Sequence, residues 1–400
     1  MNAQPLYDLT PLASLLAVGM LLALGPLVWV YWRTRHSVPP QRAQALRLFT
    51  LFLTFDLVLF GAFTRLTDSG LGCPDWPGCY GNTSPLGANH AIAAAQAAMP
   101  TGPVTQAKAW IEMVHRYLAT GVGALIVAMT VTSWLAWREK SRMRPSQVTP
   151  DLSPWWATAT LIWVCIQGAF GALTVTMKLF PAIVTLHLAG ALVLLVLLCV
   201  QVVRGGVSSA RLPMQASLGR WAGVVAALLG MQVLLGGWVS TNYAVLACND
   251  FPLCQNRWWP EMNFTQGFEL WRHLGVTSSG EPISFAALTA IHYVHRLMAY
   301  LVLTALALLA WQLNRLPHWR GQSRVLAVLV GLQLATGLSN VVLDWPLLAA
   351  LLHTGGAAAL VLTLTWILAS SVAVVQSNVP ARQDGHPEAT LACPEPESFA

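Results

Sequence analysis

Four histidines lie within long apolar segments of the chain, where an ionisable side chain is costly and points to function. They are His115, His187, His295 and His353. Each follows the predicted start of its helix by about six to ten residues, which places all four roughly 10–15 Å below the same face of the bilayer. Imidazoles that reach one depth from two helices are suited to binding the iron of a planar macrocycle between them.

Two other interpretations of these histidines stay open. A single membrane histidine often serves only as an interhelical hydrogen-bonding residue, although four at matched depth favour a ligand site. Zinc usually takes three or four close protein ligands, and each half of the chain offers two or three. His292 is a further candidate ligand, less certain than His295 because an internal repeat aligns His295 with His115.

Glu112 shares a helix face with His115, because it lies three residues earlier in the same predicted helix. The repeated segment has His292 at this position. A carboxylate in an apolar site can take or release protons, or stabilise developing positive charge. The alternative is an interfacial residue that only pairs with Arg116. The difference between the two segments predicts that one half carries out the reaction and the other half supports it.

Three arginines lie near the same end of the predicted helices. Arg116 and Arg296 directly follow two of the histidines, and Arg65 ends the second span. Such side chains bind macrocycle propionates through charge-assisted hydrogen bonds, or extend to the membrane interface. The sequence leaves both roles open for each arginine.

Four of the seven cysteines form two pairs with identical spacing, Cys73 with Cys79 and Cys248 with Cys254. Both pairs lie in loops predicted to face the oxidising side of the membrane, which favours disulfides. Prolines and aromatic residues between the paired cysteines favour a tight turn. Redox exchange with a partner protein is the alternative, since an exposed, strained disulfide is readily reduced.

The composition excludes a soluble fold. Hydrophobic residues make up 56% of the chain and charged residues only 10%, against about a quarter charged in soluble proteins. Apolar runs of about twenty residues match the thickness of a bilayer. We expect nine membrane spans, at about 11–32, 46–64, 108–136, 156–177, 181–203, 219–240, 285–311, 324–343 and 346–374.

The net charge of +6 follows membrane topology and indicates no nucleic acid, because most Lys and Arg lie in alternate short loops. These loops, expected on the cytoplasmic side, are 33–45, 138–153, 204–218 and 312–323. We therefore expect the N-terminus outside and a disordered tail from Gln376 inside. The long loops 65–107 and 241–284 then lie outside. An Arg-rich transit peptide is absent, which favours a bacterial plasma membrane.

The chain repeats itself. Five segments match in order: Gly61–Arg65 with Gly237–Thr241, Cys73–Cys79 with Cys248–Cys254, Glu112–Arg116 with His292–Arg296, Gln167–Ala172 with Gln333–Leu338, and Leu186–Gly190 with Leu352–Gly356. Four spans in each copy make this a parallel repeat. We expect an all-α polytopic protein with four parts: an extra helix and loop (1–45), two four-helix halves (46–203 and 219–374), and the tail (375–400).

These segments resemble haem A synthase. The stretch Gly61 to Cys79 reads Gly-Ala-Phe-Thr-Arg-Leu-Thr-Asp-Ser-Gly-Leu-Gly-Cys-Pro-Asp-Trp-Pro-Gly-Cys, and Glu112-x-x-His115-Arg116 follows it. The second copy contributes Gly236-Gly-Trp-Val-Ser-Thr-Asn-Tyr243, Cys248 to Pro260, His292-x-x-His295-Arg296 and Leu352-His353-Thr-Gly. The resemblance covers about residues 46–374 and is closest to the bacterial form, which is related to a mitochondrial assembly factor of cytochrome oxidase.

The resemblance implies an oxidoreductase that converts the methyl at position 8 of haem O to a formyl group, through successive hydroxylation and loss of water. It implies that His295 and His353 ligate a haem b cofactor and that His115 and His187 flank haem O. It also implies that Glu112 assists the oxidation. The pair Cys73 and Cys79 matches the family's first-loop disulfide, whereas Cys248 and Cys254 match a pair that is not universal.

The implied partners are haem O, membrane lipid, haem O synthase and cytochrome oxidase assembly proteins, with a homo-oligomer as a further option. The main rival is a b-type di-haem cytochrome that only transfers electrons. Such a protein favours haems at different depths across the roughly 30 Å core, whereas all four histidines lie near one face. A transporter is a second rival, but it usually has a midplane site on broken helices.

Overall fold

The computed structural model describes residues 10–141, 152–206 and 211–374. Nine helices in these ranges are long and apolar enough to cross a membrane, so the predicted all-α polytopic fold is confirmed. The helices of the described residues are α1 (Thr10–Thr34), α2 (Pro39–Leu66), α3 (Asn89–Ala98), α4 (Gln106–Lys140), α5 (Pro154–Thr176), α6 (Pro181–Arg204), α7 (Ala216–Thr241), α8 (Phe264–Gly267), α9 (Phe285–Asn314), α10 (Arg320–Val342) and α11 (Leu347–Ser370). The shorter α3 and α8 lie in the two long loops.

Each predicted span corresponds to one long helix, with ends that differ by a few residues. Local residue types explain several helix starts. Pro39, Pro154 and Pro181 stand in the first turns of α2, α5 and α6, where a missing N–H costs nothing. Thr105 caps α4 and Ser284 caps α9, each by accepting a backbone N–H at 3.2 Å. The tail from Gln376 and most of the loop 138–153 lie outside the described residues.

The prediction for the end of the last span is wrong. We expected a helix to residue 374, but α11 ends at Ser370 and the strand β2 (Ser371–Val374) follows it. It pairs in parallel with the strand β1 (Leu212–Gln215), which lies in the loop before α7. Pairing satisfies backbone groups that the helix end leaves free. Hydropathy reports apolar residues and cannot separate this short strand from the helix before it.

The long helices form two rings of four, one in each half of the chain. Neighbours in the first ring are α2, α4, α5 and α6, and in the second α7, α9, α10 and α11. The rings meet where α6 packs against α7 and α11, and where α2 packs against α11. Helix α1 lies outside the rings, against α4 and α2. It approaches α4 closely at Gly19, where an added Cβ would lie 2.4 Å from Thr120 Cγ2.

The structure corrects the register of the first repeat by one residue. The sequence alignment paired Gly61 with Gly237. In the structure, the turn after α2 has Asp68 at φ 50° and the turn after α7 has Tyr243 at φ 54°. The amides that follow these two residues close equivalent turns, to Thr64 at 2.9 Å and to Val239 at 3.0 Å. Gly61 is therefore equivalent to Gly236, the same offset that relates the two cysteine pairs.

Candidate functional site

A cavity of about 1240 Å³ runs through both rings and brings the predicted site residues to one space. It is lined by all four histidines named from the sequence, His115, His187, His295 and His353, and by Glu112 and His292. The four histidines are the tenth residue of α4, the seventh of α6, the eleventh of α9 and the seventh of α11. Most of the other lining residues are apolar, and Arg65, Arg116 and Arg296 also line the walls.

Four of the cavity histidines, all but His292, pack against a glycine on the neighbouring helix of their ring. A Cβ added to Gly61 would lie 3.1 Å from His115 Nε2. A Cβ at Gly171 would lie 3.3 Å from His187 Cε1, and one at Gly236 would lie 3.0 Å from His295 Cε1. A Cβ at Gly337 would lie 3.2 Å from His353 Cε1. These distances are tighter than ordinary van der Waals contact. A side chain in place of the glycines would therefore push each imidazole from its position.

Three of the four imidazoles are also held at Nδ1. The side-chain amide of Gln167 lies 3.0 Å from His187 Nδ1, and that of Gln232 lies 3.1 Å from His295 Nδ1. Each amide also donates to the backbone carbonyl of the histidine it holds, at 2.7 and 3.2 Å. These contacts restrict the orientation of the two rings; because an amide nitrogen is a donor, they do not by themselves leave Nε2 free for a metal.

The hydrogen bond at Nδ1 of His353 gives the clearest support for a metal-binding imidazole. The Thr336 hydroxyl donates to the Leu332 carbonyl at 2.7 Å and lies 3.0 Å from His353 Nδ1. Since the hydroxyl proton is committed to Leu332, the oxygen accepts from Nδ1–H, and the lone pair of Nε2 is free. Gln333 donates to the His353 carbonyl at 2.9 Å, as Gln167 does in the first ring.

His115 differs from the other three. Its ring stacks with Phe60 at 6.3 Å between centroids and an interplanar angle of 7°, and it is close enough to His187 for electrostatic interaction. Among the described residues it has no side-chain hydrogen bond that fixes Nδ1. The first ring therefore holds one fixed and one less constrained imidazole, whereas both imidazoles of the second ring are fixed.

Glu112 is buried at 3% exposure, between the cavity and the first long loop. One carboxylate oxygen accepts the Cys73 backbone N–H at 2.8 Å, and the other accepts from the Arg116 guanidinium. Glu112 therefore has both of the contacts that the sequence left open: it pairs with Arg116, and it also lines the histidine cavity. His292, its equivalent in the second ring, is buried as well, and its Nδ1 has no partner among the described residues.

Both predicted disulfides are present, between Cys73 and Cys79 and between Cys248 and Cys254. All four cysteines are fully buried. A partner thiol cannot reach these sulfurs unless the loop opens, because exchange requires direct attack on sulfur. The exposed disulfide that redox exchange presupposes is therefore not what the structure shows.

The arginines that follow the histidines anchor these loops. Arg116 donates to three carbonyls of the first loop, at 3.0, 3.2 and 2.6 Å, from Asp75, Pro77 and Gly78. Arg296 donates to three carbonyls of the second loop, at 3.0, 2.7 and 3.2 Å, from Asp250, Leu253 and Cys248. Each guanidinium thus ties the turn that carries a disulfide to the helix that carries a histidine. We did not predict this role from the sequence.

Arg65 joins the two halves. Its guanidinium pairs with Asp68 at 3.1 Å, donates to the Ser240 carbonyl and lies 4.1 Å from the centroid of the Tyr243 ring. The Tyr243 hydroxyl in turn donates to Asp68 at 2.6 Å. Since Asp68 and Tyr243 are equivalent positions of the repeat, this cluster lies where the two copies face each other.

The donor set fits an iron porphyrin better than a bare metal ion. No group of three or more His, Cys, Asp or Glu residues within the described ranges is placed to hold a metal ion, which tells against the zinc alternative. A porphyrin supplies four nitrogen ligands itself and needs only axial ligands from the protein. Paired imidazoles in a mostly apolar cavity, with glycines that leave room for their rings, meet that requirement.

Comparison with known proteins shows the family of the chain. Residues 44–365 match the family of cytochrome oxidase assembly proteins. The chain belongs to this family. Its relatives include the haem A synthase of Shewanella oneidensis, 36% identical over 80% of this chain and 93% of that protein. The haem A synthase of Halalkalibacterium halodurans is 27% identical over 81% of this chain and 96% of that protein. Helix α1 lies outside the matched residues.

The loop anchors yield a paired prediction. Arg116→Ala should destabilise the protein more than Arg296→Ala, because it also leaves the buried Glu112 carboxylate without its cation, a loss of about 3–5 kcal/mol. Each variant should speed reduction only of the disulfide in its own loop. Thermal unfolding in detergent and mass spectrometry of alkylated cysteines measure the two effects. Equal acceleration at both disulfides in either variant would show that the arginines do not anchor separate loops.

Proposed function

We propose that this protein is a haem A synthase, which oxidises the methyl at position 8 of haem O to a formyl group and so provides haem A for cytochrome oxidase. The observation that carries the proposal is the cavity that joins two histidine pairs, with a buried carboxylate beside only one of them. Membership in the cytochrome oxidase assembly family and similarity to haem A synthases support it.

The second ring is proposed as the cofactor half. His295 and His353 would hold the iron of haem b, since both rings are fixed at Nδ1 and packed on glycine. When bound there, haem b supplies a one-electron centre for the oxidation. His292 lines the same half and is proposed to contact the cofactor rather than its iron. The fixed geometry suits a resident group that stays bound.

The first ring is proposed as the substrate half. His115 and His187 would flank haem O, and the looser His115 suits a molecule that must enter and leave. Glu112 is then the one carboxylate near the reacting methyl. Its hydrogen bonds from Cys73 and Arg116 hold the carboxylate in place at the cavity wall. From there it can accept a proton released as the carbon is oxidised, or stabilise the positive charge that develops.

The three arginines keep a second proposed role. Arg65, Arg116 and Arg296 all line the cavity, and a guanidinium has five donors. Their observed hydrogen bonds assign loop anchoring to Arg116 and Arg296 and contact between the halves to Arg65. Propionate contacts through the remaining donors are a proposal for each of them.

The chain is a multi-pass membrane protein, and its surroundings are proposed from charge. The Arg-rich loops indicate a cytoplasmic face on the bacterial plasma membrane, with the disulfide loops and the N-terminus outside. Haem O synthase, which makes the substrate, and cytochrome oxidase assembly proteins, which receive the product, are the proposed partners. The alternative of a di-haem electron-transfer cytochrome would give Glu112 only a structural role, through its hydrogen bonds with Cys73 and Arg116.

Co-expression with haem O synthase tests the proposal. We expect chromatography of the extracted haems to show haem A when this protein is present, and only haem O in a matched strain without it. Accumulation of haem O alone, although the folded protein carries its resident haem, would reject the function and favour the electron-transfer alternative.

Glu112→Gln tests the carboxylate. The amide keeps a hydrogen-bond acceptor for Cys73 but cannot take the proton, so formyl product should fall by about 10²- to 10⁴-fold. The absorption spectrum of the resident haem should not change. Glu139→Gln makes the same chemical change on the exposed end of α4 and should keep full activity. If Glu112→Gln instead loses the resident haem, or makes product at the parent rate, the proposed role is wrong.

A further inference from the structure

The cavity extends further along the first ring than along the second. On α4 its lining runs from Glu112 to Thr132, whereas on the equivalent α9 it runs from His292 to Leu306. Because Glu112 and His292 are equivalent, the lining continues six residues further on α4. At 1.5 Å per residue, this is about 9 Å of additional helix.

The neighbouring helix shows the same extension. The lining of α5 runs from Leu161 to Val175, whereas that of the equivalent α10 runs from Gln333 to Val341. Val175 and Val341 are equivalent, so α5 also contributes six residues more. The extra space, named here the cleft between α4 and α5, leads from the histidines away from the disulfide loops. Leu16, Met20 and Leu24 of α1, which has no equivalent in the second half, also line the cavity.

This cleft opens sideways, out of the helical ring. Val127 and Val131 of α4 are 47% and 51% exposed, and Cys165 and Gly168 of α5 are exposed as well. All four residues line the cavity. In a membrane, this side of the ring faces the lipid.

The equivalent positions of the second ring carry larger side chains. Gly123 of α4 corresponds to Leu303, and Gly168 of α5 corresponds to Leu334, while Thr120 corresponds to Tyr300. All six positions line the cavity. A Cβ added to Gly123 or Gly168 would meet nothing within 4 Å, so helix packing does not require glycine at either position. The first half therefore has open space at two glycines where the second half has leucines.

We propose that the cleft between α4 and α5 binds the isoprenoid side chain of haem O, and that Tyr300, Leu303 and Leu334 keep this chain out of the second ring. The inference rests on the proposed function. Haem O carries a long apolar chain that haem b lacks, and the cleft is apolar and continuous with the space between His115 and His187. Lipid is as apolar as the cleft, so the selection is steric: one half has room for the chain and the other does not.

Filling the cleft tests this assignment. The double variant Gly123→Leu/Gly168→Leu gives the first ring the residues of the second. In spectral titrations of the purified protein that carries its resident haem, haem O should bind about 5- to 150-fold more weakly, the usual effect of overpacking. Iron protoporphyrin IX, which has the macrocycle without the chain, should bind the variant within about twofold of the parent. Unchanged binding of haem O, or equal loss of both ligands, overturns the proposal.

Two further measurements distinguish binding of the chain in the cleft from a general effect of an added leucine. Gly331→Leu adds the same volume on the exposed face of α10, where an added Cβ also meets nothing within 4 Å, and should leave haem O binding unchanged. In the parent, Cys165 is a free exposed thiol within the cleft. Haem O should slow its labelling by an apolar maleimide, as located by mass spectrometry, and iron protoporphyrin IX should not. Equal protection by both ligands contradicts the cleft assignment even if the leucine variant fails to fold.

These outcomes distinguish the inference from the proposed function. A parent protein that binds haem O through the cleft but makes no haem A refutes the function alone. A parent that makes haem A, with haem O binding that the leucines do not weaken, refutes the cleft alone.

Discussion

The interior of a bilayer offers no water to a polar side chain, so an imidazole placed there must take every contact from the protein or its ligand. All four cavity histidines meet this constraint in the same way. Each lies against a glycine on the next helix, and three of them also have an amide or hydroxyl at Nδ1. Each of these contacts joins two neighbouring helices of a ring.

The loops depend on the same residues. Arg116 and Arg296 each follow a histidine by one position, and each guanidinium lines the cavity and also binds the carbonyls of a disulfide loop. The position of each loop is therefore coupled to the position of each histidine. The two halves share this arrangement of helices and loops and differ at few positions. A carboxylate in one half corresponds to a histidine in the other, and two glycines and a threonine correspond to two leucines and a tyrosine. Equivalent sites therefore differ in chemistry and in the size of their side chains.

Much of this arrangement could be predicted from the sequence. Runs of about twenty apolar residues predict spans because the bilayer fixes their length, and a repeated motif makes matched depths visible without coordinates. Three of the four glycines and two of the three glutamines beside the histidines lie in the repeated segments, but a sequence does not say which helices touch. The loop-anchoring role of Arg116 could not be predicted, since it depends on carbonyls that only the folded loop brings together. The strand after α11 and the one-residue register error share a cause: apolar residues alone do not fix a local backbone path.

We assign the resident haem to the second ring. The most direct test is the haem content of four purified variants, His115→Ala, His187→Ala, His295→Ala and His353→Ala, expressed without haem O synthase. Absorption spectra should show that His295→Ala and His353→Ala lose the resident haem, whereas His115→Ala and His187→Ala keep it. Retention of the haem by both variants of the second ring, or its loss from variants of the first ring alone, would contradict the central claim.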